Sequence, residues 1–223
     1  SYLRDLDRDP EPLLIGRYCT PVIADTSVDP ECLAAFEEAS ALLESLGHRL
    51  VDIDVPVPLD AVPHFELVWS AGAAGIPVPA EREADLRPLT RWLRGRGRAL
   101  TPDDVAQAVA FMHEHARAAV RATADLDLIL TPTLAELPSP IGAIRDDADP
   151  SADFEAQKRF TPFTSPYNMT GQPAVSLPLH WTNEGLPVGI QLVGQPMREA
   201  TVLRVSAQLE RARPWANRHP EVW

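Results

Sequence analysis

The sequence predicts an α/β fold in which helices pack on both faces of a mixed β-sheet. Three observations support this fold class. A strand, a helix and a second strand follow one another near the start of the chain, and an apolar strand, "LDLILTPT", follows several helical segments. Two alternating strands then form a hairpin, and an amphipathic helix comes last. Strands that alternate with helices are typical of parallel pairing, whereas a hairpin adds antiparallel pairing.

The first strand is "PLLIGRY", which ends at Tyr18. The helix after it has clear limits, because Asp29 can cap its amino end, Pro30 suits its first turn and Gly47 can end it in a left-handed conformation. Apolar residues repeat at helical spacing between these limits, which predicts one buried face. Arg49–Val55 then alternates as a strand, so this unit is expected to form a right-handed crossover on the sheet.

The middle of the chain is predicted to be mainly helical. Helical spacing recurs over Ala61–Ala74, and "GIPVPAERE" is expected to be a loop. Arginines are dense from Arg87 to Arg98. This cluster could be an anion site or the solvated end of a helix, and the second interpretation is favoured because charge runs usually lie on solvated faces. A longer helix begins at Thr101, a capping residue followed by Pro102 and two aspartates.

The rest of the chain predicts three strands and a final helix. "LDLILTPT" has the continuous apolar character of a strand buried on both faces, and Leu134–Asp153 is predicted to be a loop. Strands are expected at Ala174–Leu179 and Val188–Val193, joined by a turn through Thr182–Gly185. Glu199–Ala212 has the apolar spacing of an amphipathic helix.

Composition and charge exclude several classes of protein. The 223 residues include 45% hydrophobic residues and carry a formal net charge of -12, which argues against nucleic acid or an anionic membrane as the main partner. No apolar run reaches the roughly 20 residues of a membrane helix, so a soluble protein is expected. Cys19 and Cys32 are interpreted as free thiols, with a single bridge as the less favoured alternative, and the cytoplasm is the expected location. Residues 1–223 are interpreted as part of one domain with a linker-like start, Ser1–Pro12.

Motifs that would identify other kinds of chemistry are absent. The chain contains no GxSxG, GxGxxG or GxxxxGK[ST] sequence, which argues against a nucleophile elbow and against phosphate-cradling loops. His113 and His115 are two residues apart, whereas two metal ligands on one helix face need a spacing of three or four. They are therefore interpreted as exposed or partly buried side chains, and no metal or other cofactor is expected.

Hydroxyl-bearing residues are dense in "FTPFTSPYNMTGQP", which begins at Phe160 and leads into the hairpin. One interpretation is a loop-to-strand junction in which these side chains satisfy backbone groups. The other is the wall of a site. Thr131 and Thr133 are candidates for the same site, because the ends of buried strands commonly feed ligand crevices.

The same stretch carries a family resemblance. "FTPFTSPYNMTGQPAVSLPL", "GLPVGIQLVGQP" and "EATVLRVSAQLE" resemble, in this order, the last sheet edge and closing helix of the amidase signature hydrolases. "DLILTPT" and "RYCTPVIADTSVDPECLAAFEEASALLESLGH" are similar to earlier segments of that family. The resemblance covers nearly the whole chain and implies the C-terminal portion of the amidase signature fold.

The resemblance also implies hydrolysis of a small carboxamide by a Ser–(cis)Ser–Lys triad. In the family that triad lies in a Gly/Ser-rich segment that precedes every segment matched here, and this chain contains no Gly-Gly pair. The only lysine, Lys158, does not stand in the family's lysine context, so no catalytic residue is assigned within the chain. This portion is expected to be inactive alone and to supply pocket walls.

The wall residues implied by the resemblance lie at two places. They are Thr131 and Thr133 at the strand end and, before the hairpin, Phe160, Thr161, Phe163, Thr164 and Asn168. Relatives that use glutamine have a carboxylate near the position of Thr161, so the threonine argues against glutamine as the substrate.

Two other hypotheses stay open. The chain could be a catalytically silent binding or assembly subunit, or an amidotransferase A-type subunit that works with transfer RNA; the acidic balance and Thr161 count against the latter. In the favoured hypothesis the partners are a small-molecule amide and the missing N-terminal catalytic half. A homodimer stays open, and neither nucleic acid nor a membrane is expected as a partner. A free strand edge and apolar surface are expected where that half belongs.

Overall fold

The computed structural model describes residues 6–58 and 60–219, so residues 1–5 of the predicted linker Ser1–Pro12 lie outside the described residues. The strands are β1 (Leu14–Arg17), β2 (Arg49–Asp52), β3 (Leu128–Pro132), β4 (Ala174–Trp181) and β5 (Pro187–Gly194). The helices are α1 (Pro30–Ser45), α2 (Ala61–Gly75), α3 (Pro88–Arg98), α4 (Pro102–Ala122), α5 (Pro150–Phe160), α6 (Ser165–Thr170) and α7 (Glu199–Ala212). A 3-10 helix, Ala80–Asp85, lies between α2 and α3.

The strands form one mixed sheet in the order β2-β1-β3-β5-β4. β1 pairs in parallel with β2 and β3, whereas β5 pairs antiparallel with β3 and β4. Parallel neighbours need a crossover connection, and α1 provides it between β1 and β2. The predicted mixed sheet is therefore confirmed.

Helices cover both faces of this sheet. Successive side chains of a strand point to opposite faces, and on β3 Leu128 and Leu130 belong to one hydrophobic core while Ile129 belongs to another. The first core includes residues of α1 and α7, and the second includes residues of α2, α4 and α6. The predicted placement of helices on both faces is confirmed, and β3 is buried on both sides as its continuous apolar sequence predicts.

Three helices begin with the same local chemistry. Asp29, Thr101 and Asp149 cap α1, α4 and α5, and a proline follows each cap in the first turn. The sequence predicts the first two of these starts. The third corrects the predicted loop, because Pro150–Asp153 forms the first turn of α5, where an oxygen of Asp149 accepts a hydrogen bond from the backbone N–H of Ser151 at 3.0 Å.

The hydroxyl-rich segment also differs from the interpretation as a loop-to-strand junction. Its residues Ser165–Thr170 form the short helix α6, which ends at Gly171 in the left-handed conformation, with φ of 69°. The predicted loop "GIPVPAERE" likewise runs into the 3-10 helix. Serine, threonine and asparagine favour turns and helix ends over helix interiors, which is why this helix is difficult to predict.

The arginine cluster Arg87–Arg98 is only partly solvated. Arg94 is 2% exposed, and its guanidinium donates to Glu83 and to the carbonyls of Ala73 and Ile76. The prediction of a solvated cluster is therefore wrong for Arg94. The physical reason is that α3 packs against the end of α2, where main-chain carbonyls need donors.

Two expectations from composition concern the membrane and the thiols. Within residues 6–58 and 60–219, none of the helices combines the length and the apolar character needed to cross a bilayer. Cys19 and Cys32 are free thiols, as predicted. Burial raises the pKa of Cys32 to about 11, so this thiol stays protonated at neutral pH.

His180 joins the edge strand β4 to α1 through the carboxylates of Glu31 and Glu38. In the ring of His180, Nε2 lies 2.9 Å from a carboxylate oxygen of Glu31, and Nδ1 lies 3.2 Å from one of Glu38. A neutral imidazole has one N–H and can donate to only one carboxylate, whereas the protonated ring donates to both. Burial lowers the pKa of His180, but the hydrogen bonds to Glu31 and Glu38 outweigh burial and the pKa is raised. Arg213 also binds Glu38, at 3.0 Å.

Raising the pH is expected to weaken the interaction of His180 with the two carboxylates. The stabilisation from His180 is fully present below the ordinary histidine pKa of about 6.5 and is lost as the pH rises through the raised pKa of the folded state. Urea unfolding at about pH 5.5 and about pH 9 should therefore show a larger loss of stability in the wild type than in a His180→Gln variant. Equal pH dependence of the two proteins would contradict this prediction.

Candidate functional site

The turn between α5 and α6, residues 161–164, lies across the carboxyl ends of two parallel strands. The carbonyl of Phe160 accepts from the N–H of Ala135, shortly after β3, at 3.2 Å. The carbonyl of Pro162 accepts from the N–H of Val22, in the segment after β1, at 3.3 Å. Ligand crevices in α/β sheets open at the carboxyl ends of strands. Most of the predicted wall residues lie in or beside this turn.

Thr131 and Phe163 are fully buried behind the turn. The hydroxyl of Thr131 donates to the carbonyl of Pro132 at 2.8 Å and accepts from the side-chain amide of Gln191 at 2.9 Å. The same amide donates to the carbonyl of Phe163 at 3.1 Å. These two residues therefore fix the turn on the sheet, and their direct contact with a substrate stays a prediction.

Thr133 lies just beyond β3, next to small residues of the neighbouring strands. Its hydroxyl is 2.7 Å from the hydroxyl of Ser176, which is exposed on β4. Gly189 lies between them on β5, and a Cβ atom there would stand 2.5 Å from the Ser176 hydroxyl. These three residues form a polar shelf, in which the hydroxyls of Ser176 and Thr133 occupy the space in front of Gly189.

The other predicted residues differ in how their polar groups are used. Thr161 ends α5, and its hydroxyl donates to the carbonyl of Gln157 at 3.0 Å. Thr164 is half-buried before α6, and its side chain makes no capping bond. Asn168 is exposed on α6. Thr164 and Asn168 are therefore more available to a ligand than Thr161.

Two depressions border the residues on either side of the turn. The larger is a cleft of about 570 Å³ that borders Asp153, Gln157 and Phe160 of α5, the loop 138–145 and Arg87. The smaller is an apolar pit that borders Ser165 and Met169, together with Phe65 of α2. The turn thus joins a cleft of mixed polarity to a pit that is almost wholly apolar.

Charged groups of both signs surround the cleft. Arg145 donates to Asp147 through Nε at 2.8 Å and also through Nη2. This hydrogen bonding is the main cause that lowers the pKa of the Asp147 carboxyl and raises that of the Arg145 guanidinium. Asp153 is fully buried, and its Oδ1 accepts from the side-chain amide of Gln157 at 2.6 Å. Arg87 adds an exposed guanidinium at the rim.

Lys158 is held in a buried ion pair. Its Nζ lies 2.6 Å from a carboxylate oxygen of Glu66 on α2 and 2.7 Å from one of Glu155. Burial lowers the pKa of Lys158, but the hydrogen bonds to Glu155 and Glu66 outweigh burial and the pKa is raised. The ammonium therefore stays protonated at neutral pH and is unsuited to act as a general base.

A tyrosine pair behind the turn is the prominent feature that sequence reasoning missed. The hydroxyls of Tyr18 and Tyr167 are 2.9 Å apart, and both side chains are buried. Burial raises the pKa of Tyr18 to about 12 and that of Tyr167 well above its ordinary value. Both phenols are therefore neutral, and the pair ties α6 to the end of β1. No local signal marks it, because 149 residues separate the two positions.

The histidines of α4 have the exposures that the sequence predicts. His113 is exposed, and His115 is half-buried with its Nδ1 2.9 Å from the carbonyl of Phe111. Nowhere in residues 6–58 and 60–219 do three or more His, Cys, Asp or Glu side chains come together as a group that could hold a metal ion.

Comparison with known proteins identifies the family. Residues 2–203 match the family model described as Amidase. This chain belongs to the amidase family. Among the relatives of this amidase chain is the 6-aminohexanoate-cyclic-dimer hydrolase of Pseudomonas sp. The two sequences are 31% identical over an alignment of 238 residues, and the alignment covers 99% of this chain and 48% of the relative. The acylamidase of Rhodococcus erythropolis is 32% identical over 210 residues, which cover 86% of this chain and 41% of the relative.

A solved structure shares the fold of the amidase chain. The structure of 6-aminohexanoate cyclic dimer hydrolase complexed with substrate matches 99% of this chain with a TM-score of 0.84 and 27% sequence identity. The match covers 49% of that structure. The amidase chain thus spans about half the length of the relatives that it matches. The family expected from the hydroxyl-rich segment and the hairpin is confirmed.

Proposed function

We propose that this amidase chain is the C-terminal portion of an enzyme that hydrolyses a small carboxamide, and that it supplies walls of the substrate pocket. The observation that carries the proposal is the family match over residues 2–203, together with relatives of about twice the length. The ion-paired Lys158 and the neutral Tyr18 and Tyr167 are not suited to act as base. We therefore assign the Ser–Ser–Lys triad to a segment outside this chain.

The proposed reaction is acyl transfer through a serine hydroxyl. The hydroxyl attacks the amide carbonyl, backbone N–H groups stabilise the oxyanion, the amine leaves, and water then hydrolyses the acyl-enzyme. The part of this chain is to hold the substrate in line with that hydroxyl, which can remove several kcal/mol from the barrier, up to roughly 7–11 kcal/mol. A cleft of mixed polarity beside an apolar pit suits a substrate with an apolar body and polar ends.

The catalytic half would pack beside the polar shelf of Thr133, Ser176 and Gly189. This shelf adjoins β4, which is the last strand in the sheet order, so its outer edge is unpaired within the described residues. β4 has eight residues, whereas β2 at the opposite edge has four. A long free edge beside small side chains is a favourable docking place for further strands.

Charge and thiol chemistry support the remaining parts of the proposal. A net charge of -12 suits a small-molecule amide as ligand better than nucleic acid. Two free thiols, one of them buried, accord with a reducing compartment, and we place the protein in the cytoplasm.

Kinetics of the full-length protein test both parts of the proposal. Alanine in place of the triad serine is expected to lower kcat by on the order of a millionfold. Phe160→Ala is expected to raise KM by about tenfold with little change in kcat, because a wall residue contributes binding that substrate and transition state share. Steady-state hydrolysis of a series of small carboxamides measures both effects.

Ile76→Ala is the matched control for the wall residue. Ile76 is 58% exposed and borders neither depression, so both kinetic constants should stay unchanged. If the variant with alanine in place of the triad serine still hydrolysed the amide, the proposed chemistry would be refuted. An unchanged KM in Phe160→Ala would refute the proposed role of this chain as a pocket wall.

A further inference from the structure

The cleft beside α5, which we term the α5 cleft, contains a buried acceptor without a partner. Asp153 lines this cleft of about 570 Å³ and is fully buried in the first turns of α5. Its Oδ1 accepts from the side-chain amide of Gln157 at 2.6 Å. Its Oδ2 is also buried and has no hydrogen-bond partner within the described residues.

An unpaired buried carboxylate oxygen indicates that a donor is missing. Buried polar atoms in folded proteins nearly always have a partner, and an ionised group without one is especially costly. Gln157 already donates to Asp153, and Arg145 is bound to Asp147 through two nitrogens. Arg87 lies at the exposed rim of the cleft and makes no bond to Oδ2. Oδ2 has almost no accessible surface, so a molecule in the adjoining cleft can supply the donor once the side chains that cover Oδ2 shift aside.

We propose that Asp153 binds an alkylammonium group of the substrate, so that the amide hydrolysed by the whole protein carries a protonated amine. The inference rests on the proposed function. An ammonium group brings three N–H donors and a positive charge, and a buried carboxylate is stabilised by both. The net charge of -12 also favours the approach of a cation.

The rest of the α5 cleft suits the other parts of such a substrate. Ile141, Ile144 and Phe160 line it and can cover an aliphatic chain that leads from the amine towards the scissile amide. The charge of Arg145 is offset by Asp147, so it opposes a bound cation only weakly. Arg87 at the rim can donate to a carbonyl oxygen farther along the substrate.

Matched anilides test the proposal in the full-length protein. We expect 5-aminopentanoyl anilide to be hydrolysed with a kcat/KM roughly 10–100-fold higher than pentanoyl anilide, the range expected for one hydrogen bond to a charged group. Asp153→Asn should remove this preference, so that the two anilides are hydrolysed with nearly equal kcat/KM. Asp146→Asn removes a charge from the exposed loop beside the same cleft without breaking the Arg145–Asp147 pair, and it should retain the preference.

A binding measurement on the wild type decides the proposal without a variant that has to fold. Pentylammonium should bind at least about tenfold more tightly than pentyltrimethylammonium, which keeps the charge but has no N–H donor. The ammonium site would be overturned if pentylammonium and pentyltrimethylammonium bound with equal affinity, or if the two anilides were hydrolysed at equal rates. It would also be overturned if Asp153→Asn kept the preference for the aminated anilide. A protein that hydrolyses neither anilide would refute the proposed function, and the calorimetric comparison of the two amines would then decide the site.

Discussion

Replacing Arg94 with alanine is expected to destabilise the protein by about 3–5 kcal/mol, because two main-chain carbonyls lose hydrogen bonds from a charged donor, each worth roughly 1.5–3 kcal/mol. The side chain of Arg94 is 3% exposed and lies 2.7 Å from a carboxylate oxygen of Glu83. Its Nη1 also donates to the carbonyls of Ala73 and Ile76, at 2.5 and 2.8 Å, where α2 ends. Alanine would leave the two carbonyls without this donor, whereas Glu83 would keep its hydrogen bond from Arg98. Urea unfolding of the wild type and the variant measures the loss.

Arg91→Ala is the matched control on the same helix. Arg91 is exposed, and within the described residues its guanidinium makes one hydrogen bond, to the carbonyl of Ala84 at 3.3 Å. Its replacement should change the free energy of unfolding by no more than about 0.5 kcal/mol. Equal losses in the two variants would show that Arg94 is not the group that joins α3 to α2.

Replacing Gly97 with alanine is expected to cost at least about 3 kcal/mol, at the upper end for overpacking, because backbone atoms block the new side chain. A Cβ atom at Gly97 would stand 2.0 Å from the carbonyl oxygen of Ser70 and 2.8 Å from the Cβ of Ala74, both on α2. Real side chains do not approach so closely, so α2 and α3 would have to separate. The thermal midpoint and the free energy of unfolding should both fall.

Gly95→Ala provides the opposite result two residues earlier on the same helix. Gly95 is exposed, and apart from the adjacent backbone of its own helix no described atom lies within 4 Å of a Cβ atom built there. Alanine removes the entropic cost of a helical glycine, so this variant should be more stable by roughly 0.5–1 kcal/mol. If Gly95→Ala and Gly97→Ala change the free energy of unfolding equally, α2 and α3 do not pack as closely at Gly97 as described.

Much of the fold could be predicted because its elements have local signals. The pairs Asp29–Pro30 and Thr101–Pro102 place two helix starts, and the alternation over Val188–Val193 places a strand. Asp149–Pro150 carries the same signal as the first two pairs, so the start of α5 could have been predicted by applying that rule throughout the chain. α6 has only six residues of mixed propensity, and its form depends on burial of Tyr167 against the sheet.

The burial of individual polar residues could not be predicted, because it depends on elements far apart in sequence. Arg94 is buried by the end of α2, and Thr131 is buried with Gln191, 60 residues later. The unpaired oxygen of Asp153 likewise depends on how the loop 138–145 lies beside α5. Sequence spacing indicates which residues share a strand or a helix face. It does not indicate which distant carbonyl or amide will meet them.

Active-site labelling tests the central claim most directly. A fluorophosphonate reacts covalently with a serine hydroxyl that an enzyme has activated as a nucleophile. The full-length protein would be labelled, digested and mapped by mass spectrometry. Our account predicts that the labelled serine lies outside the 223 residues of this chain. A label on Ser165 or Ser176, beside the turn and on the shelf, would show that this chain carries its own nucleophile and would contradict the account.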